Sequence, residues 1–230
     1  MQLSKRLESV SSLVTPGFRV ADIGTDHGYI PLWLIRQGVI PGAIAMDIHK
    51  GPLQRAKENI QAYELEEKIE TRLSDGLGEL RPGEADCVVI AGMGGSLVIK
   101  ILKEGAEVLR TVRELVLQPQ SDMEKVRRFL QKEGYRITSE KMILEDGKFY
   151  PMMRAEHGRM KELSEIEALY GPCLLKEKNV CLKQFLEREQ QTFENVRRSL
   201  AESKTTRAKE RLLEIEEKIE QIKRAKEKMR

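Results

Sequence analysis

The chain has 230 residues, a formal net charge of +3, and 33% charged against 5% aromatic residues, a balance that excludes a membrane-embedded protein and is charge-heavy for one compact globule. No run approaches the roughly 18 apolar residues of a membrane span, and the excess charge has an address. Residues 161–230 hold 17 of the 40 Lys and Arg and 14 of the 37 Asp and Glu, so the whole net positive charge falls on the C-terminal part. That charge permits a polyanionic partner without demanding one. Cys87, Cys173 and Cys181 form no paired framework or CxxC spacing, and the chain starts without a basic, apolar leader, which points to a reducing cytoplasm. The three histidines, His27, His49 and His157, are scattered, and no metal is expected.

Leu3, Leu7, Val10 and Val14 recur at helical spacing before Thr15-Pro16-Gly17 stops the run. Arg19–Ile23 reads as a strand entering the turn Gly24-Thr25-Asp26-His27-Gly28, and Tyr29–Gln37 as a buried helix ended at Gly38. A second strand, Ala43–Met46, ends on Asp47, and helix Gly51–Tyr63 follows with Leu53, Ala56 and Ile60 inward. A weaker strand, Ile69–Leu73, ends at Ser74-Asp75-Gly76. Strand Asp86–Ala91 is nearly all apolar, as expected of a central parallel strand, and runs into Gly92-Met93-Gly94-Gly95 and a helix with Leu97, Ile101 and Leu102. Val112–Leu117 is the next strand, closed by Gln118-Pro119-Gln120, and helix Ser121–Glu133 is expected to open with a Ser121/Glu124 capping box. Gly134–Leu144 and Lys148–Glu156 read as two strands joined by a hairpin at Glu145-Asp146-Gly147. Alternating strands and helices with a closing hairpin predict an α/β fold over residues 1–158: a doubly wound, mainly parallel, seven-stranded sheet with an antiparallel edge.

Beyond Gly158 long charged stretches carry apolar residues three and four apart, broken only at Gly171-Pro172. Leu182, Leu186, Phe193 and Leu200 lie in a heptad frame that decays at Ser203 and Arg207, and Leu212, Ile215, Ile219 and Ile222 resume it in shifted phase. Residues 159–230 therefore read as an all-α, coiled-coil-like domain: two long helices folded back near Ser203–Thr206, with a shorter one around Leu163–Leu169. Its basic residues, among them Arg197, Arg198 and Lys204, concentrate toward the tip. The hairpin can serve dimerisation or grip a nucleic acid.

Doubly wound sheets bind ligands at the carboxyl ends of their strands, and three of those ends carry acids, Asp22, Asp47 and Asp75. The glycine turn places Asp26 where a dinucleotide pyrophosphate would sit, and like charges at 4 Å repel by about 4 kcal/mol in a partly buried site. A cationic cofactor with an amino group and a ribose, S-adenosylmethionine, suits the same acids. Asp47 accepts from both ribose hydroxyls, Asp75 takes the adenine amino group, Asp22 and Gly24 shape the methionine end, and Gly28 lets the next helix pack close.

Asp22-x-Gly24-x-Asp26-x-Gly28, Asp47 and Asp75 resemble the first three motifs of the class I, Rossmann-like methyltransferases. With Ala91-Gly92-Met93-Gly94-Gly95 and Leu117-Gln118-Pro119-Gln120, the chain looks like the bacterial tRNA adenine-22 N1-methyltransferases, whose members append a helical coiled-coil domain. The resemblance implies methylation of N1 of an adenosine in the D-arm of tRNA. Cofactor contacts then extend to Ile48, Gly76, Ala91 and Gly92. Adenine N1 carries a free lone pair, so no general base is needed; positive charge develops on the base, and Asp26, with His27 beside it, is the candidate catalytic pair. The base must leave its stack, with Tyr29, Met93, Gly94, Gln118 and Pro119 as pocket candidates and Arg6, Arg197, Arg198 and Lys204 as tRNA contacts. Competing readings are a small-molecule or protein methyltransferase with a dimerising tail, and a non-catalytic RNA-binding scaffold. A monomer or weak dimer is expected.

Overall fold

A computed structural model describes residues 1–201 and 205–230. Two compact units are present, Met1–Glu162 and Leu163–Arg230.

In the first unit seven strands form one sheet in the order β3-β2-β1-β4-β5-β7-β6. The strands are β1 (Val20–Ile23), β2 (Ala43–Asp47), β3 (Ile69–Leu73), β4 (Cys87–Met93), β5 (Glu114–Pro119), β6 (Tyr135–Glu145) and β7 (Lys148–His157). The first five pair in parallel, and β7 runs antiparallel to both β5 and β6. This is the expected doubly wound sheet with an antiparallel edge. Strand order reverses between β1 and β4, which opens a crevice at their carboxyl ends. The central strands are covered on both faces, and their runs of Val, Ile, Leu and Ala are accordingly buried throughout. On one face Val20, Ala45 and Val89 cluster with Val10, Leu32 and Ile60.

Those helical residues lie on α1 (Lys5–Ser11), α2 (Tyr29–Arg36) and α3 (Lys50–Ala62); α4 (Gly95–Glu104), α5 (Ala106–Leu109) and α6 (Met123–Lys132) complete the unit. The β6–β7 hairpin turns through Asp146 at φ 48° and Gly147 at φ 73°, the paired left-handed residues that an Asp-Gly signal predicts. Arg127 of α6 donates to Glu140 of β6 across 2.8 Å, the two side chains 2% and 0% exposed, so this helix is tied to the edge by a buried ion pair that no periodicity revealed.

One local expectation fails. The residue capping α6 is Asp122, at φ 53° and ψ 33°, and no side chain closes a capping bond there. Ser121 Oγ instead accepts from the Gly95 amide at 3.3 Å. The Ser121 backbone also lies close against Gly95, where a Cβ would stand 2.4 Å from the Ser121 carbonyl oxygen, so Ser121 is engaged with the start of α4 and does not cap α6. Leu97 is exposed, while Val98, Ile101 and Leu102 form the buried face of α4.

The second unit contains α7 (Glu165–Tyr170), α8 (Pro172–Lys176), α9 (Val180–Ala201) and α10 (Thr206–Lys228). Ser164 caps α7 with a full capping box to Glu167. The two long helices pack antiparallel: Lys226 Nζ donates to Gln190 Oε1 at 2.6 Å, and Lys218 lies over the Phe193 ring. Leu182 and Leu186 are buried, as are Ile215, Ile219 and Ile222, whereas Val196 is exposed. The fading of the first apolar seam toward the helix end therefore corresponds to a polar distal half of α9.

Candidate active site

β1 ends in a turn that is tight because three of its five residues take positive φ: Gly24 (76°), His27 (64°) and Gly28 (65°). His27 tolerates this conformation with help, as Asn59 Nδ2 donates to its carbonyl at 2.9 Å. Gly28 faces α3, where a Cβ would meet that of Ala56 at 3.4 Å, so this glycine serves the close packing expected of it. The Gly24 and Thr25 amides both donate to the Met46 carbonyl, at 2.8 and 3.0 Å, and lock the turn to the end of β2.

Around this turn lies a cavity of about 580 Å³, within the range of small-molecule sites. The ends of the first four strands contribute: Asp22 and Gly24 from β1, Asp47 and Ile48 from β2, Asp75 and Gly76 beyond β3, and Ala91, Gly92 and Met93 from β4. Asp26, Tyr29 and Arg6 reach it as well.

Asp22 is buried. Loss of hydration pushes its carboxyl up from 3.8 to about 6; Thr25 offsets part of the rise and the Asp47 carboxylate adds to it. The Thr25 hydroxyl is itself buried without a partner of ordinary hydrogen-bond geometry. Asp47 Oδ1 accepts from the His49 amide at 2.8 Å, which fixes the carboxylate. Ser74 Oγ donates to the Gly76 carbonyl at 3.0 Å and accepts from the Glu79 amide at 3.1 Å, shaping the loop that presents Asp75. Two floor positions favour glycine through their backbone, Gly24 at φ 76° and Gly76 at φ 55°, and a Cβ at either would press on a side chain, Met93 Cε at 2.3 Å or Ile101 at 3.2 Å.

Asp26 is exposed at the turn's tip, with Arg55 Nη2 donating to its Oδ1 at 2.8 Å. Arg55 escaped the sequence argument because nothing in an exposed helical arginine marks its partner. His27 does not line the cavity; its ring stacks on Tyr29, centroids 5.0 Å apart and nearly parallel. Gly94 caps α4 outside the cavity.

Gln118 and Pro119 do not line the cavity either. β5 runs on through Pro119, which leaves both buried, and Gln118 Oε1 accepts from Arg6 Nη1 at 2.9 Å. Gln120, two residues on, is the amide that reaches the cavity. Arg6 itself is held by three elements: Gln118, the Tyr150 ring at 5.7 Å, and Glu145, whose carboxylate accepts from the Lys5 and Arg6 amides at 2.6 and 3.2 Å. Among the described residues Arg6 has no ion pair.

The sequence pattern of the tRNA (adenine(22)-N(1))-methyltransferases matches residues 20–224. This chain belongs to that family. The tRNA (adenine(22)-N(1))-methyltransferase of Bacillus subtilis (strain 168) is 36% identical over 229 residues, covering 97% of this chain and 96% of the relative. A Streptococcus pneumoniae protein solved in complex with S-adenosyl-L-methionine superposes with a TM-score of 0.86 at 36% identity, over 97% of this chain and 99% of the other. M. capricolum TrmK, solved with S-adenosyl-homocysteine, superposes at 0.85 with 28% identity over the full length of both chains. The adenine-22 family thus spans both units of the chain, the acid-lined crevice and the helical hairpin alike.

Arg197 and Arg198 are exposed on α9, and the Arg198 guanidinium donates to Asn195 Oδ1 at 2.9 Å. Lys204 lies outside the described residues.

Proposed function

We infer that this chain transfers a methyl group from S-adenosylmethionine to N1 of adenosine 22 of tRNA. The observation that carries the inference is the row of carboxylates Asp22, Asp47 and Asp75 at successive strand ends of one cavity, in a chain matched over nearly its whole length by the adenine-22 family.

The residues fit the cofactor. A buried acid beside the buried Thr25 hydroxyl suits a cationic, hydrogen-bonding guest, which the amino group of a methionine moiety supplies to Asp22. Asp47 is fixed through one oxygen and its Oδ2 has no partner among the described residues, as a ribose diol needs. Ile48 and the exposed Leu97 supply apolar walls, with Ala91 and Gly92 at the end of β4 and Asp75 and Gly76 taking the adenine edge. When bound, S-adenosylmethionine supplies an electrophilic methyl group on a sulfonium.

The chain's own residues then have two tasks, to hold adenine N1 in line and to stabilise the charge it acquires. Asp26 lies at the cavity's rim and meets the positive charge that spreads to the base. Arg55 fixes its direction and partly neutralises it. His27 contributes through Tyr29, whose ring it supports; Tyr29 and Met93 offer the stacking and apolar surface for a flipped base, and Arg6 a fixed positive charge for the phosphate chain. The α9–α10 hairpin, with Arg197 and Arg198, grips tRNA elsewhere. We read the protein as cytoplasmic, a reading that a tRNA substrate and free cysteines support.

Transfer of labelled methyl from S-adenosylmethionine to unmodified tRNA tests the function. Label is expected in tRNA carrying adenosine 22 and lost when that nucleotide is replaced; equal labelling of both would overturn the inference.

A further inference from the structure

Gly92, at φ 82°, leaves bare backbone at the end of β4, between two polar side chains. A Cβ built there would stand 3.7 Å from Arg6 Nη1 and 3.8 Å from Gln120 Nε2. Both nitrogens therefore flank one open point of the cavity. Arg6 is fixed by Gln118 and by the Tyr150 ring. Gln120 is fixed only through its main chain, its amide donating to the Met93 carbonyl at 2.8 Å. Its carboxamide lines the cavity and makes no hydrogen bond among the described residues.

Such an amide offers one acceptor and two donors. A target adenine must present N1 bare, because N1 takes the methyl group. The remaining polar edge is the N6 amino group with N7, a donor beside an acceptor, and a glutamine side chain meets that pair with two hydrogen bonds. Guanine presents two acceptors there and leaves the amide oxygen facing another oxygen. We propose that Gln120 is the base-reading residue: its Oε1 accepts from N6 and its Nε2 donates to N7 of the target adenine. The assignment rests on the N1-adenosine function inferred above. As N1 gains its methyl, positive charge spreads to N6 and makes its hydrogens better donors, so the contact strengthens toward the transition state.

The test uses full-length protein and two tRNAs that differ only by 7-deazaadenosine at the target position, which keeps N1 and N6 and removes the N7 acceptor. For the unaltered protein kcat/KM falls roughly 2- to 12-fold on the deaza tRNA, the range expected of one lost hydrogen bond. Gln120→Leu, which removes both bonds, loses at least that factor on natural tRNA, roughly 5- to 100-fold, binds S-adenosylmethionine with unchanged Kd, and shows no further loss on the deaza tRNA. Equal turnover of both tRNAs by the unaltered protein overturns the proposal without need of the variant. So does a Gln120→Leu protein that keeps the full deaza penalty, or one whose defect is in cofactor affinity. Absence of methyl transfer even to natural tRNA removes the function inferred above as well, whereas indifference to N7 removes this assignment alone.

Discussion

Replacing Asp22 with Asn separates what the buried acid does for the fold from what it does for the ligand. Burial holds this carboxyl at about 6 rather than 3.8, so the ionised form is disfavoured in the empty protein by about 3 kcal/mol. The sign follows from linkage: the folded state keeps a proton that the unfolded chain releases, so this carboxyl's contribution to stability is full below pH 4 and is lost as pH rises through about 6. Asp22→Asn removes that loss and keeps the shape. At pH 8 the variant is expected to melt higher than the parent, with an upper bound on the order of 6–12 °C at roughly 2–4 °C per kcal/mol, and the difference should vanish toward pH 4. Cofactor binding moves the other way, since a cationic guest favours the ionised acid. The parent's affinity for S-adenosylmethionine should rise with pH through about 6, and Asp22→Asn should bind weakly at every pH. Differential scanning calorimetry and isothermal titration across pH 4–8 measure both. A variant that melts lower than the parent at pH 8, or binds cofactor as well as it does, would refute the assignment of Asp22 as a destabilising, cation-seeking acid.

Other sites give equally direct outcomes. Asp47→Ala should raise the cofactor Kd roughly 10²-fold, since charge-assisted hydrogen bonds are worth about 1.5–3 kcal/mol each; titration at pH 7.5 reads it, and an unchanged Kd rejects the ribose contact. Asp26→Ala should lower kcat by about 10²-fold with cofactor affinity intact, whereas Arg55→Ala, which only releases Asp26 from its partner, should change kcat by less than about tenfold. Retained turnover in Asp26→Ala removes the charge-stabilising role. Changing Arg197 and Arg198 together to Glu should weaken tRNA binding and lower the slope of log Kd against log salt by roughly 2, as read by fluorescence anisotropy; an unaltered slope excludes this face of the hairpin from the interface.

The sheet and its acids were legible because their signals are local and redundant. Strands β1 and β2 are apolar runs ending in Asp22 and Asp47, the weaker β3 runs into the Ser74-Asp75-Gly76 turn, and strand ends are where a doubly wound sheet gathers its ligand contacts. The Asp146-Gly147 hairpin was equally plain, because few other residues accept two left-handed conformations in succession. What stayed hidden depends on contacts between distant segments. Gln118 and Gln120 carry the same side chain, and only the continuation of β5 through Pro119 decides that the first is spent on Arg6 while the second reaches the cavity. Ser121 is engaged with Gly95 and does not cap α6, a contact at a distance no local pattern encodes. Arg55 beside Asp26, Glu145 at the start of α1, and the buried pair of Arg127 and Glu140 were hidden for the same reason: a charged residue on an exposed-looking helix or strand does not name its partner.

The central claim, that the acid-lined crevice directs a methyl group to adenine N1, is tested most directly by nucleoside analysis of one product. Unmodified tRNA is incubated with the full chain and S-adenosylmethionine, digested to nucleosides, and resolved by chromatography and mass spectrometry against 1-methyladenosine and N6-methyladenosine standards. The expected product is 1-methyladenosine, mapped to position 22. Methyl on N6, on another base, or at another position would contradict the account.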